Sequence, residues 1–229
     1  MADPLDVVTL AEAKAALSIA SSVTKHDAEL PGFVTAVSQR LDLLVGPIVQ
    51  RPVDEEPHDG GNDTSYSGLV SRPAVGDGHE SVFLDFFPIS SITSVSEYVD
   101  GAETVLTRET PTVKPAEGYV VSRFGADASL LSNKLMRRKQ GRRARFAAGT
   151  GNVVASYVAG RAADTASVPQ RYKVCAGLML QNLWRSQQDS TGSVNEFDVP
   201  QSYFPRWAIP KSVQQLLHGE IQEPEQQLL

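Results

Sequence analysis

The spacing of apolar positions changes period twice along the chain. Leu30, Phe33, Val34, Val37, Leu41 and Leu44 recur at i, i+3, i+4, i+7, i+11 and i+14, which is one face of an amphipathic helix. Pro31 suits the first turn of that helix, where a missing N–H has no partner to lose, and Gly46-Pro47 ends it. Ahead of it, "TLAE" at 9–12 has the form of a capping box, and Leu10, Ala13 and Leu17 on one face predict a short helix over 10–19. From 81 to 160 the spacing becomes that of strands. "SVFLDFFP", "SITSVSEYVDG", "ETVLTRE", "GYVVSRF" and "NVVASYVAG" are short runs rich in Val, Ile, Thr, Tyr and Phe, divided by Pro, Gly or Asp-Gly. They predict an antiparallel sheet of hairpins, with Asp100-Gly101 as one turn. Helical spacing returns after "SVPQ" at 167–170, which reads as a second capping box with Ser167 as N-cap and Gln170 at N3, and continues to about 187.

Val174, Cys175, Leu178, Met179, Leu180, Leu183 and Trp184 spread around most of the circumference of this last long helix. A one-sided helix needs less, so it is either central in its domain or covered by a partner chain. The linker 188–209 contains "FDVPQSYFPRWAIP", and "PKSVQQLLHG" then places Val213, Leu216 and Leu217 on one side of a short helix. The resulting expectation is an α+β fold: a helical core formed from the N- and C-terminal helices, with an antiparallel β-rich insertion between them. Residues 1–50 supply the first core helices. Residues 51–160 form the insertion, carrying an exposed acidic loop at 54–68 and a basic hairpin at 134–146. Residues 161–218 supply the last core helices and a docking arm, and 219–229 a flexible tail.

Charge adds one anomaly. The 229 residues hold 21 Lys and Arg against 27 Asp and Glu, a net charge of -6. Yet "KLMRRKQGRRARF" packs Lys134, Arg137, Arg138, Lys139, Arg142, Arg143 and Arg145 into 13 positions without an acid, leaving 14 cations against all 27 acids elsewhere. A general polyanion binder is normally basic overall. The N-terminus lacks a basic region followed by an apolar core, and the longest apolar run, "VCAGLML", is far too short to span a bilayer, so a soluble, non-membrane protein is expected. The single cysteine, Cys175, lies in that run, excludes an internal disulfide, points to a reducing compartment, and reads as a small buried hydrophobe.

Catalytic and metal-binding patterns do not assemble. His26, His58, His79 and His218 lie in separate segments without a metal-binding spacing. Asp54, Glu55, Glu56, His58, Asp59 and Asp63 cluster locally but do not follow a calcium-loop spacing, and read as a solvated acidic loop. "GTG" at 149–151 precedes a strand-like run, not a helix that could hold a phosphate, and "SVTK" at 22–25 lacks the partner motifs its S-x-x-K pattern would need. No catalytic residue, metal or cofactor is expected.

The order of the motifs carries more than any one of them. An opening "VVTLAEAKAALSI", a capped amphipathic helix ending in Gly, a strand leading into "FPISSITSVSEYVDG", a late strand "NVVASYVAG", then "SVPQRYKVCAGLMLQNLWRSQQ" and "AIPKSVQQLL" resemble the head-tail adaptor (connector, or head-completion) proteins of long-tailed double-stranded DNA phages. The likeness covers roughly 5–50 and 81–218. It implies a noncatalytic subunit of a homo-oligomeric ring, usually of twelve copies, that docks on the portal protein at the capsid vertex. Such a ring receives a tail-side neck protein such as a stopper or tail terminator, and lets genome DNA pass. It also implies a place at the head–tail junction of the virion, with assembly in the host cytoplasm. Phe204, Trp207, Ile209, Val213, Leu216 and Leu217 of the C-terminal arm are the corresponding candidates for a subunit or portal interface.

For the basic stretch, a two-residue turn at Gln140-Gly141 sets Lys139 opposite Arg142 and Arg138 opposite Arg143, with Leu135 opposite Phe146 at the base. Like charges facing each other cost stability, so the tip needs an anionic neighbour or open solvent. Three readings follow: a solvated loop, a contact with an acidic patch of a neighbouring subunit, or a contact with genome DNA. The main alternative to the adaptor is a DNA-binding or regulatory protein that uses this hairpin. An unrecognised hydrolase is the remaining class, and lacks an acid, base and nucleophile set.

Overall fold

The computed structural model describes residues 3–61, 78–125, 129–188 and 209–221. The chain divides into two compact units, one made of residues up to 49 together with those from 162 on, the other of residues 50–161.

The first unit is helical. α1 (Leu10–Ala16) starts at the capping box read from the sequence: the Glu12 N–H donates to Thr9 Oγ1 at 3.2 Å, and the Glu12 carboxylate accepts from the Thr9 N–H at 2.7 Å. It ends three residues earlier than 10–19 suggested, because Leu17 already leaves the helical conformation and Ser18 takes a positive φ of 58°. α2 (Leu30–Val45) buries Leu30, Val34, Val37 and Leu41, and stops at Gly46 with φ 77°. α3 (Gln170–Gln188) lies centrally: Tyr172, Cys175, Ala176, Met179, Leu180 and Leu183 share one apolar cluster with α1, α2 and α4 (Lys211–Leu216). Its wide apolar band is therefore used largely within the chain. The Ser167 capping box does not form. Ser167 closes a turn with Asp164 instead, its N–H donating to Asp164 Oδ1 at 2.8 Å and its hydroxyl to the Asp164 carbonyl at 3.0 Å. The Asp164 main chain engages that hydroxyl in place of the helix start, since the Asp164 N–H also donates to Ser167 Oγ at 3.1 Å.

The second unit is a sheet of nine described strands. β1 (Arg51–His58), β9 (Val153–Ala159), β3 (Ile89–Val99) and β4 (Ala102–Val105) pair in that spatial order. β3 also touches β7 (Leu131–Lys139) through one pair, Ile89 with Leu131. β7 in turn carries β6 (Gly118–Arg123) on one edge and both β2 (Ser81–Phe83) and β8 (Arg142–Arg143) as further partners. β5 (Thr107–Arg108) closes the series beside β6, and this pair is parallel, so the sheet is mixed where an antiparallel one was expected. Alternate residues of both halves meet in a second apolar cluster that includes Leu84, Ile89, Val95, Leu135, Phe146, Val153 and Tyr157.

The acidic segment at 54–68 is corrected in its first part. Residues 54–58 belong to β1, paired with β9 from Arg51–Ala159 to His58–Val153 and interrupted by a bulge between Val53 and Glu56. Prolines and acids hid the strand, but both suit a sheet edge, where Pro52 and Pro57 need not donate on the open side and charge discourages foreign pairing. Residues 62–77 lie outside the described residues. The Thr9 cap generates a test: Thr9→Ala should lower stability by about 1 kcal/mol, read as a reduced midpoint in urea or heat denaturation with the helical CD signal retained at low denaturant.

Candidate functional site: the basic hairpin

β7 alternates with the period of the sheet, so Leu131, Leu135 and Arg137 face inward and Lys134, Met136 and Arg138 outward. The chain then turns at Gln140-Gly141, where φ values of 49° and 76° make the type I′ geometry favoured by two-residue hairpins. The register read from the sequence holds at the tip, with Lys139 opposite Arg142 and Arg138 opposite Arg143. It does not hold at the base. Leu135 pairs with Val121 and Val82, while the Phe146 N–H donates to the His79 carbonyl, because β8 is only two residues long and the chain leaves β7 after the Ala144 N–H reaches the Arg137 carbonyl.

The tip is not a pile of unmatched cations. Arg137 is buried, and all five of its guanidinium N–H groups are used: Nε to Glu97 at 3.3 Å, Nη2 to Glu97 at 3.0 Å and Glu117 at 2.5 Å, and Nη1 to the carbonyls of Gly118 at 3.2 Å and Arg138 at 2.6 Å. Glu97, equally buried, also accepts from the Ala147 N–H. Glu117 takes Lys139 on its other oxygen at 2.6 Å. On the outward face Arg138 and Lys114 share Glu109, at 3.1 Å and 2.6 Å. The turn itself is held: the Gln140 N–H donates to the Pro115 carbonyl at 3.0 Å, and Arg138 Nη2 donates to the Gly141 carbonyl at 2.9 Å.

Three residues of the basic stretch thus have carboxylate partners inside their own chain, and for Arg137 a role as an exposed contact is corrected. An ion this deep must be paired and fully hydrogen-bonded to offset its desolvation, and it already is. Arg142 and Arg143 are exposed, and neither forms an ion pair with a described carboxylate. Lys134 is exposed and stands over the Phe83 ring at 5.4 Å, and Arg145 is exposed as well. Glu97, Glu109 and Glu117 were missed in the sequence. Glu97 had a legible signal, since it falls on the inward phase of β3 two residues from buried Val95, where an acid must find a cation.

The C-terminal candidates separate. Val213 and Leu217 are fully buried in the helical cluster of their own chain, which corrects their assignment to an intersubunit surface; Ile209 packs partly against the same cluster. Leu216 is exposed, and Phe204 and Trp207 lie outside the described residues. Among the described residues no group of three or more His, Cys, Asp or Glu is placed to hold a metal, and no helix is long and apolar enough to cross a membrane. A second polar site exists at the β1 edge: Glu56 accepts from Tyr157 Oη at 2.9 Å and lies 2.7 Å from His58 Nε2. Burial first, then the Glu56 carboxylate, raises the Tyr157 phenol above its ordinary range and keeps it protonated.

The chain shares its fold with a neck protein. Over 92% of its length it superposes on 89% of a chain in the neck of an empty gene transfer agent particle computed with C6 symmetry, with a TM-score of 0.52 and 13% sequence identity. No protein-family model matches the sequence, and no curated protein does.

The ion network generates two expectations. Arg137→Ala should destabilise the protein by about 3–5 kcal/mol, because it leaves Glu97 buried without its cation; Arg137→Met with Glu97→Leu should recover much of the loss in the same urea titration. Glu109 is held below the ordinary 4.5 first by Lys114 and Arg138, and Glu117 first by Lys139 and then Arg137. A carboxylate with a depressed folded pKa contributes stability above its unfolded value and loses it as pH falls through the folded one. Stability should therefore decline below pH 4.5, and a Glu109→Gln, Glu117→Gln variant should show a shallower decline over that range.

Proposed function

We propose that the chain is a noncatalytic ring subunit of the neck of a phage-like particle, a head-to-tail adaptor that docks on the portal vertex, offers the tail its attachment site and lets the genome pass. The observation that carries this reading is the fold shared with a gene transfer agent neck chain along nearly the whole of both chains. The order of motifs that resembles head-tail adaptors points the same way without relying on identity.

The electrostatics of the hairpin suit passage better than retention. A lumen dense in cations would hold DNA by counterion release, with affinity rising for every phosphate neutralised. Here Arg137 and Lys139 are matched by Glu97 and Glu117, and Arg138 shares Glu109 with Lys114, so far less of the stretch is available than its sequence suggests. The reading that makes this hairpin the DNA-binding surface of a regulatory protein loses ground for the same reason.

The test is cosedimentation and negative-stain imaging of the purified 24.7 kDa chain with portal rings, alongside linear duplex DNA at low and high salt. Rings capping the portal, of six or twelve copies and with little affinity for free DNA, are the expected result. Salt-sensitive DNA binding without portal association would overturn the adaptor in favour of the DNA-binding reading.

A further inference from the structure

The exposed arginines of the hairpin have a chemical counterpart elsewhere in the same unit. Residues opposite each other in an antiparallel pair share a face. Ser96 opposite Val105, and Tyr98 opposite Glu103, therefore share one face of the β3–β4 hairpin, on which Ser96 itself is buried, while Glu97 points the other way into the ion network. The same outward face continues across β9 through Val154 and Ser156 to the β1 bulge, where the Glu55 N–H donates to Ser156 Oγ at 3.1 Å.

This face is unusual in what it leaves uncovered. Tyr98 is 38% exposed and Val105 62%. Glu103 is exposed, with one oxygen accepting from Ser96 Oγ at 2.7 Å, and Glu55 is held outward by the bulge at a φ of 52°. No ion pair among the described residues engages Glu55 or Glu103. Partial desolvation, then the Glu103 charge and its hydrogen bond to the ring hydroxyl, then the Glu55 charge push the Tyr98 phenol upward, so the ring stays neutral beside two carboxylates. A neutral aromatic face flanked by carboxylates is what a guanidinium recognises: bidentate hydrogen bonds from the edge and cation–π contact from the plane.

We propose that the outward sheet face around Tyr98, Glu103, Val105 and Glu55 receives the Arg142–Arg143 hairpin tip of a second copy of this chain. Charge complementarity selects the occupant. The tip presents two arginines that no described carboxylate of its own chain satisfies, on a turn already pinned by Pro115 and Arg138, so little conformational freedom is lost on docking. Donor and acceptor surfaces lie at different places on one chain, which makes the contact head-to-tail, and a head-to-tail contact closes into a ring when its rotation permits. The inference rests on the ring-subunit reading and supplies its contact.

Two measurements on the full chain test it apart from portal docking. Arg143→Cys protein mixed with Glu103→Cys protein and mildly oxidised should yield a disulfide-linked heterodimer, about tenfold above a control mixture of Arg143→Cys with Leu43→Cys, a preference of about 1.4 kcal/mol. Cys175 is buried and does not compete. In parallel, Arg142→Glu/Arg143→Glu and Glu55→Lys/Glu103→Lys proteins should each lose self-association, and mixing them should restore it between unlike chains, through the native pair one way round and the reversed pair the other. No excess heterodimer together with no rescue on mixing overturns the contact. If the heterodimer forms but rings never cap portals, the contact stands and the neck reading falls. If wild-type rings cap portals while both measurements fail, the neck reading stands and the subunits meet elsewhere. Failure of both measurements with loss of salt-sensitive duplex binding in Arg142→Glu/Arg143→Glu assigns the tip to DNA.

Discussion

The guanidinium of Arg137, locked between Glu97 and Glu117, is the constraint on which the sheet unit turns. It joins β3 to β7 at the end where the backbone does not, since those strands share a single residue pair at Ile89 and Leu131. Glu97 extends the link to the chain after β8 through the Ala147 N–H, and Glu117 extends it through Lys139 to the hairpin tip. An apolar side chain at position 137 could fill the space but could not tie four segments together. Burying such a network costs desolvation that its hydrogen bonds must offset, and what it contributes in return is a fixed geometry, a specificity role that the Arg137→Met, Glu97→Leu variant can expose.

That geometry decides how the basic stretch behaves. Seven cations in thirteen positions suggest a polyanion contact when charge is counted along the sequence. In three dimensions the inward phase of β7 spends Arg137 on the core boundary, and the outward phase spends Arg138 on Glu109. The charge that no described carboxylate matches lies on β8, where Arg142 and Arg143 follow a turn whose backbone is anchored. A cationic surface reduced to a few side chains on an anchored turn is poorly suited to retaining a sliding polyelectrolyte and well suited to a specific carboxylate contact, where geometry counts for more than total charge.

Much of the helical unit was legible because its signals are local. The i, i+3, i+4 spacing from Leu30 to Leu44 and the Thr9–Glu12 box depend on residues within one or two turns, and both appear where the sequence placed them. The Asp100-Gly101 and Gln140-Gly141 turns were legible for the same reason, as two-residue turns with positive φ. What escaped was set by distant partners. β1 is a strand because β9 pairs with it across roughly a hundred residues, not because "RPVDEEPH" favours extension. Ser167 left its helix for Asp164, and Val213 and Leu217 turned inward because α3 offers them an apolar surface.

The carboxylate partners of the hairpin show where the sequence held more than was read from it. Glu97 keeps phase with Val95 on β3, and Arg137 keeps phase with Leu135 on β7; each is a charge in an inward position of a strand. Two opposite charges on inward phases of different strands imply each other, since neither can be buried alone. Arg142 and Arg143 carry no such implication, lying beyond the turn where the inward phase has ended. The rule that pairs Arg137 inside the chain does not apply to these two exposed arginines, and the outward Glu55, Tyr98 and Glu103, which no described cation pairs, have the chemistry to match them.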